Sequence, residues 1–216
     1  MNPFLVITIL FNLLPALFYQ KLRTAASSSK NNSLQPIVPY VIVMVFSSVY
    51  EFVGTLLLQW DSSYWFFIND IITFSSILYF YYQVLNKRFA WLFGLFILLF
   101  LLVYSGLVYF SLVQDILTVI RYSSSIFTAC VIVFSVLWFR TLFQEVYLEN
   151  LLATSNFYFI SGFIIYYCST YFLFMCSRYF YQQSAALFHS YWQFNLLLNM
   201  VLTCFILTGL WKAKTN

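Results

Sequence analysis

Long runs without a single charged side chain decide what this chain can fold into. Residues 89–114, 150–177 and 179–211 contain no Asp, Glu, Lys or Arg. A run of about 20 mostly apolar residues is what a helix needs to cross a bilayer. In hydrocarbon every backbone polar group must find its partner within the protein, so only helices and closed barrels span. A barrel strand would alternate apolar and polar residues. These runs are continuous, which selects helices.

Composition supports the same reading. Only 7% of residues are charged and 63% are hydrophobic. A soluble domain carries about 25% charge. A soluble enzyme, a nucleic-acid-binding domain and a disordered regulator are excluded on that ground. The lipid bilayer is the first expected partner, and no nucleic-acid partner is expected.

The expected fold is an all-α integral membrane protein, one domain over residues 1–216. The hydropathy pattern predicts a bundle of seven transmembrane helices at about 3–21, 37–60, 64–85, 89–113, 115–140, 156–178 and 189–211. Pro36 and Pro39 suit the opening turn of the second helix. Pro15 predicts a kink in the first. The polar stretch from Lys21 to Pro36 reads as a flexible loop. No basic residue precedes Lys21 and no small-x-small site follows the first apolar run, so the first helix is expected to persist rather than act as a signal peptide.

Basic residues orient the bundle. Lys21, Arg23, Lys30, Lys87, Arg88, Arg140, Lys212 and Lys214 fall on one predicted side and Arg178 alone on the other. That asymmetry requires an odd number of spans, with the N-terminus outside and the C-terminus cytoplasmic. Trp60, Tyr64 and Trp65 are expected at the outer interface, and Trp91, Trp138 and Trp211 at the inner one.

Three ionisable residues fall inside spans: Glu51, Asp70 and Arg121. A charge at membrane depth costs at least about 2.5–3.5 kcal/mol on insertion scales, so such residues are the first functional candidates. At about 1.5 Å per residue, Glu51 lies roughly 13 Å deep, and Asp70 and Arg121 each roughly 9 Å. They share one layer of the outer half, on three different helices. Trp192, Asn195, Asn199 and Thr203 make a polar stripe on the seventh helix. Ser47, Glu51 and Thr55 make one on the second, Asn69, Asp70 and Thr73 on the third, and Arg121, Ser124, Ser125 and Thr128 on the fifth.

Two readings stay open at this stage. One is a structural network in which Arg121 pairs with Asp70 or Glu51 and the asparagines tie helices together. The other is an outward-opening pocket. In the pocket reading Arg121 anchors an anionic group, Asp70 and Glu51 are its counter-charges, and Asn195 and Asn199 orient the ligand. The two acids could instead hold an ammonium group or exchange a proton. Tyr122, Tyr166, Tyr167 and Trp192 would supply aromatic walls. Most other Phe and Tyr residues are expected to pack or to face lipid.

Other chemistries find little footing. A single His, His189, cannot build a typical zinc or bis-His haem site. No Lys sits mid-span, which excludes a retinal Schiff base despite the seven helices. Ser123, Ser124 and Ser125 lie near Arg121, but no G-x-S-x-G motif or suitable base accompanies them. Cys130, Cys168, Cys176 and Cys204 fall in spans without a C-x-x-C pair and read as small apolar residues. No cofactor, metal site or catalytic residue is expected. Gln144, Glu145 and Glu149 mark either a short interfacial helix or an extension of the fifth helix.

The last third carries F-x-F-x-x-G-x-x-I-Y-Y, formed by Phe157, Phe159, Gly162, Tyr166 and Tyr167, and then W-x-x-N-x-x-x-N with a closing G-x-W, formed by Trp192, Asn195, Asn199, Gly209 and Trp211. This pattern resembles that of small seven-helix membrane proteins of Bacteroidetes-type bacteria, uncharacterised and often encoded beside sensor histidine kinases. The resemblance covers residues 156–211 and is only topological before them. Tyr158 stands where that pattern has Trp. The resemblance implies a bacterial inner (plasma) membrane location and a sensory role, and names no ligand or catalytic residue.

The expected function is therefore a receptor-like sensor. It would bind a small amphipathic or lipid ligand in an outer-half pocket and signal to a cytoplasmic or membrane protein partner. A secondary transporter would instead need a polar route to the inner face, and a structural or assembly subunit a tightly packed core with no cavity.

Overall fold

The computed structural model describes residues 3–25, 34–60, 63–111, 116–144, 151–183 and 185–215; within these ranges the side chains of 3, 25, 56, 63, 64, 107, 108, 110, 111, 116–121, 177, 178, 180–183, 185–189 and 215 are left undescribed. All regular structure among the described residues is helical. Seven α-helices run in order: α1 Pro3–Ala25, α2 Val38–Tyr50, α3 Ser63–Val84, α4 Ala90–Ser111, α5 Ile116–Gln144, α6 Ser155–Gln183 and α7 Ala185–Thr215. The largest difference from the expected boundaries is in the second span, where the α-helix ends at Tyr50 and a π-helical segment, Glu51–Leu57, takes over. Helices α1, α5, α6 and α7 run about one turn further than expected.

Five stretches are long and apolar enough to cross a membrane: Phe4–Thr24, Gln35–Thr55, Tyr122–Gln144, Ser155–Cys176 and Ser190–Lys214. The chain is thus a helical protein of membrane-spanning character. Helix α4 is apolar over Ala90–Gly106. Helix α3 has 22 residues but carries Asn69, Asp70, Thr73, Ser75 and Ser76, which dilute its apolar character.

Local chemistry explains several helix ends. Pro36 lies in a 3-10 turn, Gln35–Ile37, and Pro39 follows in the first turn of α2, where a missing N–H costs nothing. Helix α1 continues through Pro15 to Ala25. Helix α2 passes directly into a π-helical segment, Glu51–Leu57, marked by bonds such as Leu58 N–H to the Val53 carbonyl at 3.0 Å. Between α3 and α4 the chain reverses over Leu85–Phe89, with Asn86, Lys87 and Phe89 in the left-handed region at φ 51°, 61° and 62°.

Six of the helices close a ring. The neighbours in order are α7, α1, α2, α3, α5, α6 and again α7, and the α6–α7 interface is the most extensive. Helix α4 stands outside, against α5 and the flank of α3. The Tyr104 hydroxyl anchors it there by donating to the Phe67 carbonyl at 2.6 Å. Its other face is exposed along Leu95, Leu98, Leu101 and Leu102. For a spanning helix that face meets lipid, where exposed leucines carry no penalty.

The ring packs as an aromatic core. Phe80, Tyr81, Phe134, Phe159 and Phe163 are fully buried. Phe93 stacks on Phe134 at 4.1 Å, and Phe80 meets Phe163 edge-on at 5.4 Å. A polar tie sits inside this core: the hydroxyls of Tyr81 and Ser135 lie 2.7 Å apart, joining α3 to α5. Tyr81→Phe leaves the Ser135 hydroxyl unpaired. It should cost about 0.6 kcal/mol, and no more than about 1.7, as interhelical hydrogen bonds in membranes do. Thermal unfolding in lipid nanodiscs measures it, and a loss well above that range would mean that the pair is part of a larger network.

Where helices come closest, glycine is the reason. A Cβ on Gly209 of α7 would lie under 3.0 Å from the ring of Phe159 on α6, and one on Gly162 of α6 would lie 2.8 Å from Cβ of Phe205 on α7. The two glycines receive each other's helix, the small-residue packing that brings membrane helices together. The F-x-F-x-x-G and G-x-W elements of the sequence thus meet in one interface.

Candidate functional site

Inside the six-helix ring lies a cavity of about 210 Å³, lined by all six ring helices and not by α4. Its position along each helix is toward the end where α3, α5 and α7 begin. Three zones follow from the helical rise. Phe66, Phe174 and Trp192 occupy the outermost lining positions. A polar belt comes next, with Glu51, Asn69, Asp70, Ser123, Ser124, Thr170 and Asn195. Tyr40, Met44, Phe127 and Tyr167 form the floor.

The ring positions these groups by spacing. On α3, Asn69 and Asp70 stand three and four residues after Phe66, and Thr73 stands four and three after them, so one face carries the outer aromatic and the belt. On α7, Trp192, Asn195 and Asn199 do the same. On α2, Met44, Ser47 and Glu51 complete the wall.

The hydrogen bonds of the belt run mostly between helices. Ser123 of α5 donates to the Asp70 carboxylate of α3 at 2.9 Å. Ser47 of α2 donates to the Asn69 side-chain carbonyl of α3. The Thr203 hydroxyl of α7 lies 2.8 Å from the Asn12 side-chain oxygen of α1 and 2.9 Å from the Asn199 carbonyl. Thr128 of α5 reaches the Tyr167 carbonyl of α6 at 3.0 Å. Each such bond fixes a helix pair around the void.

Two polar groups are left over. Ser124 Oγ and Asn195 Oδ1 are buried and have no hydrogen-bond partner among the described residues. Both line the cavity. Ser124 as a residue is only 7% exposed. Burying such a group unpaired costs about 1–3 kcal/mol, which a well-packed structural network would avoid.

Of the expected ligand-binding residues, Glu51, Asp70, Tyr166, Tyr167, Trp192, Asn195 and Asn199 all line this one cavity. The side chain of Arg121 lies outside the described residues, and so does its expected pairing with a carboxylate. His189 and Arg178 share that status. Among the described residues no group of three His, Cys, Asp or Glu could hold a metal ion.

Some expectations need correction. Thr55 is exposed rather than part of the inward stripe with Ser47 and Glu51. The reason is the π-helical segment, whose wider turns rotate position 55 away from the face that α-helical spacing predicts. Tyr122 is 50% exposed and does not line the cavity. Trp138 is buried in the core instead of standing at an interface, while Trp60, Trp91 and Trp211 are exposed. Of the cysteines, Cys130 is buried, whereas Cys176 and Cys204 are exposed on outward helix faces.

Sequence reading missed Asn12, Tyr40 and Ser123 as lining residues. Asn12 carried a readable signal, as the single Asn in the apolar run of the first helix. Ser123 did not, because its role depends on which of three consecutive serines meets Asp70.

A second groove, of about 550 Å³, runs between α3 and α4 and is lined mainly by Phe74, Leu78, Phe93, Ile97 and their neighbours. It has no carboxylate or amide. The ring cavity, by contrast, gathers carboxylates, amides and aromatic rings. Comparison of the chain with family models, with curated proteins and with solved structures returns no match, so the geometry of the ring carries the functional reading.

Proposed function

We propose that this protein is a membrane-embedded receptor-like sensor, with seven spans, that binds a small amphipathic ligand in the ring cavity. The observation that carries this reading is the cavity itself, with two carboxylates and two polar atoms unpartnered among the described residues, gathered from separate helices. Carboxylates at membrane depth are costly. A chain gains from keeping them beside a void when something occupies that void.

The two rival readings fit less well. A structural subunit would close its core, and this ring stays open at the polar belt. A transporter needs a polar route onward. Below the floor of the cavity lie Phe80, Phe159, Ile160 and Phe163, each no more than 1% exposed. That packed apolar layer separates the belt from the opposite end.

The orientation we propose puts the N-terminus outside and the C-terminus in the cytoplasm of a bacterium, in its inner membrane. The described basic residues Lys21, Arg23, Lys87, Arg88, Arg140 and Lys214 are exposed and belong to the helix ends and reversal remote from the cavity. The cavity then lies in the outer half, and the basic end offers a surface to a cytoplasmic partner. With the four native cysteines replaced by Ala, Lys87→Cys should react with a membrane-impermeant maleimide only after the cells are opened. Labelling of intact cells would reverse the topology.

Signalling has its own test. The full chain in nanodiscs is titrated with small amphipathic compounds and ligand occupancy is read by thermal shift. Hydrogen exchange is then compared at Leu85–Phe89 and at the end of α7. A sensor must change protection there when the cavity fills. Saturating occupancy with unchanged exchange at both places would remove the receptor reading while leaving binding intact.

A further inference from the structure

We propose that the cavity selects a small organic cation, a protonated primary or secondary amine with an apolar remainder. The inference rests on the reading of the cavity as a ligand site and names the class of ligand.

The polar belt holds two carboxylates, Glu51 and Asp70, and no described basic side chain beside them. The Ser47 hydroxyl is used on Asn69, the Ser123 hydroxyl on Asp70, and the Thr170 hydroxyl on the Tyr166 carbonyl at 2.8 Å. The carboxylates face the void as acceptors. Asn195 Oδ1 has no partner among the described residues and is an acceptor only, and Ser124 Oγ is likewise unpartnered among them. The Glu51 side chain lines the same space. Asp70 uses one carboxylate oxygen, Oδ2, for Ser123.

A ligand that completes this belt must bring N–H donors and positive charge. An ammonium group supplies two or three donors at one point, and carboxylate acceptors make those bonds charge-assisted. The walls favour the same charge. Trp192, Tyr166 and Phe127 present rings to the void, and a cation near an aromatic face is attracted by its quadrupole. No described residue lining the cavity is basic. The void of about 210 Å³ is below the roughly 300–1,000 Å³ of sites for drug-sized ligands, which limits the amine to a small one. The aromatic floor of Tyr40, Phe127 and Tyr167 would receive its apolar part.

Three probes of one shape test the inference: 2-phenylethylamine, 2-phenylethanol and 3-phenylpropionate. Each is titrated into the full chain in nanodiscs at neutral pH, with calorimetry as the readout and protein-free nanodiscs as the blank. The amine should bind at least tenfold more tightly than the alcohol, and the carboxylate more weakly than either. Glu51→Gln with Asp70→Asn should weaken the amine at least tenfold and change the alcohol by less than threefold. Should the double variant fail to fold, Glu51→Gln alone should still weaken the amine severalfold.

Equal binding of amine and alcohol would overturn the cation inference and leave the ligand site standing. So would preferential binding of the carboxylate, and a loss of that binding in Arg121→Ala would assign the site to an anion instead. Absence of binding by all three probes would overturn both the inference and the reading beneath it.

Discussion

Gly209→Leu is expected to lower the thermal stability of the protein more than any other single change on the ring. The position faces Phe159, whose ring would lie under 3.0 Å from even a Cβ. Phe159 is 1% exposed and meets the fully buried Phe80 edge-on at 6.0 Å, so it has nowhere to retreat. A leucine must therefore push α6 and α7 apart along the most extensive interface of the fold. Overpacking of this kind costs about 1–3 kcal/mol and sometimes more. For a chain of this length that corresponds to roughly 2–4 °C in Tm per kcal/mol. Gly94→Ala on α4 is the control. Nothing lies within 4 Å of a Cβ there, and exchanging a mid-helix glycine for alanine should be neutral or gain up to about 1 kcal/mol. Shrinking the partner, by adding Phe159→Leu to Gly209→Ala, should recover part of the loss. Native-like unfolding of Gly209→Leu would mean that α6 and α7 do not meet at this glycine.

The second large effect has opposite signs on stability and on binding. Ser124→Leu places an apolar side chain in the void and removes a buried hydroxyl that has no partner among the described residues. Stability should rise by about 1 kcal/mol, the lower end of the cost of an orphaned polar group. Binding of any ligand that fills the cavity should fall at least tenfold, because the space is taken. Sites kept for function commonly trade stability in this way. A thermal-shift series on the native chain and the variant, with and without the bound probe, reads both quantities. A destabilised Ser124→Leu would show that the hydroxyl faces packed structure rather than free space.

The helices were legible in the sequence because their signal is local. Uncharged runs, prolines at the opening of α2 and the spacing of polar residues depend only on nearby positions, and the helices emerged within about a turn of their expected ends, except that α2 gives way at Tyr50 to the π-helical segment. Much of the site was legible for a related reason. Hydrocarbon drives polar groups inward, so polar stripes on separate helices at similar depth had to converge if the helices adjoined. Glu51, Asp70, Asn195 and Asn199 meet that condition at one cavity. Thr55 failed because a stripe drawn at α-helical spacing misplaces residues in a π-helical segment. Tyr122 failed because its neighbours Ser123 and Ser124, not the ring of Tyr122, face inward.

The order of helices around the ring could not be read from the chain. Apolar spans have nearly uniform surfaces, and nothing in the composition of α4 says that it stands outside while α3 and α5 meet past it. That choice rests on long-range packing, on the glycine contacts between α6 and α7, the Tyr104 tie to Phe67 and the Tyr81–Ser135 pair. It also decides which acceptors are left unpaired, since a hydrogen bond between helices exists only once their rotation is set. The sequence by itself determined that the chain is a helical membrane protein and which residues must avoid lipid, since transfer of charge and backbone into hydrocarbon is a residue-by-residue cost. Only the tertiary structure decided that these residues enclose a void, because packing is a property of pairs of helices and not of any one of them.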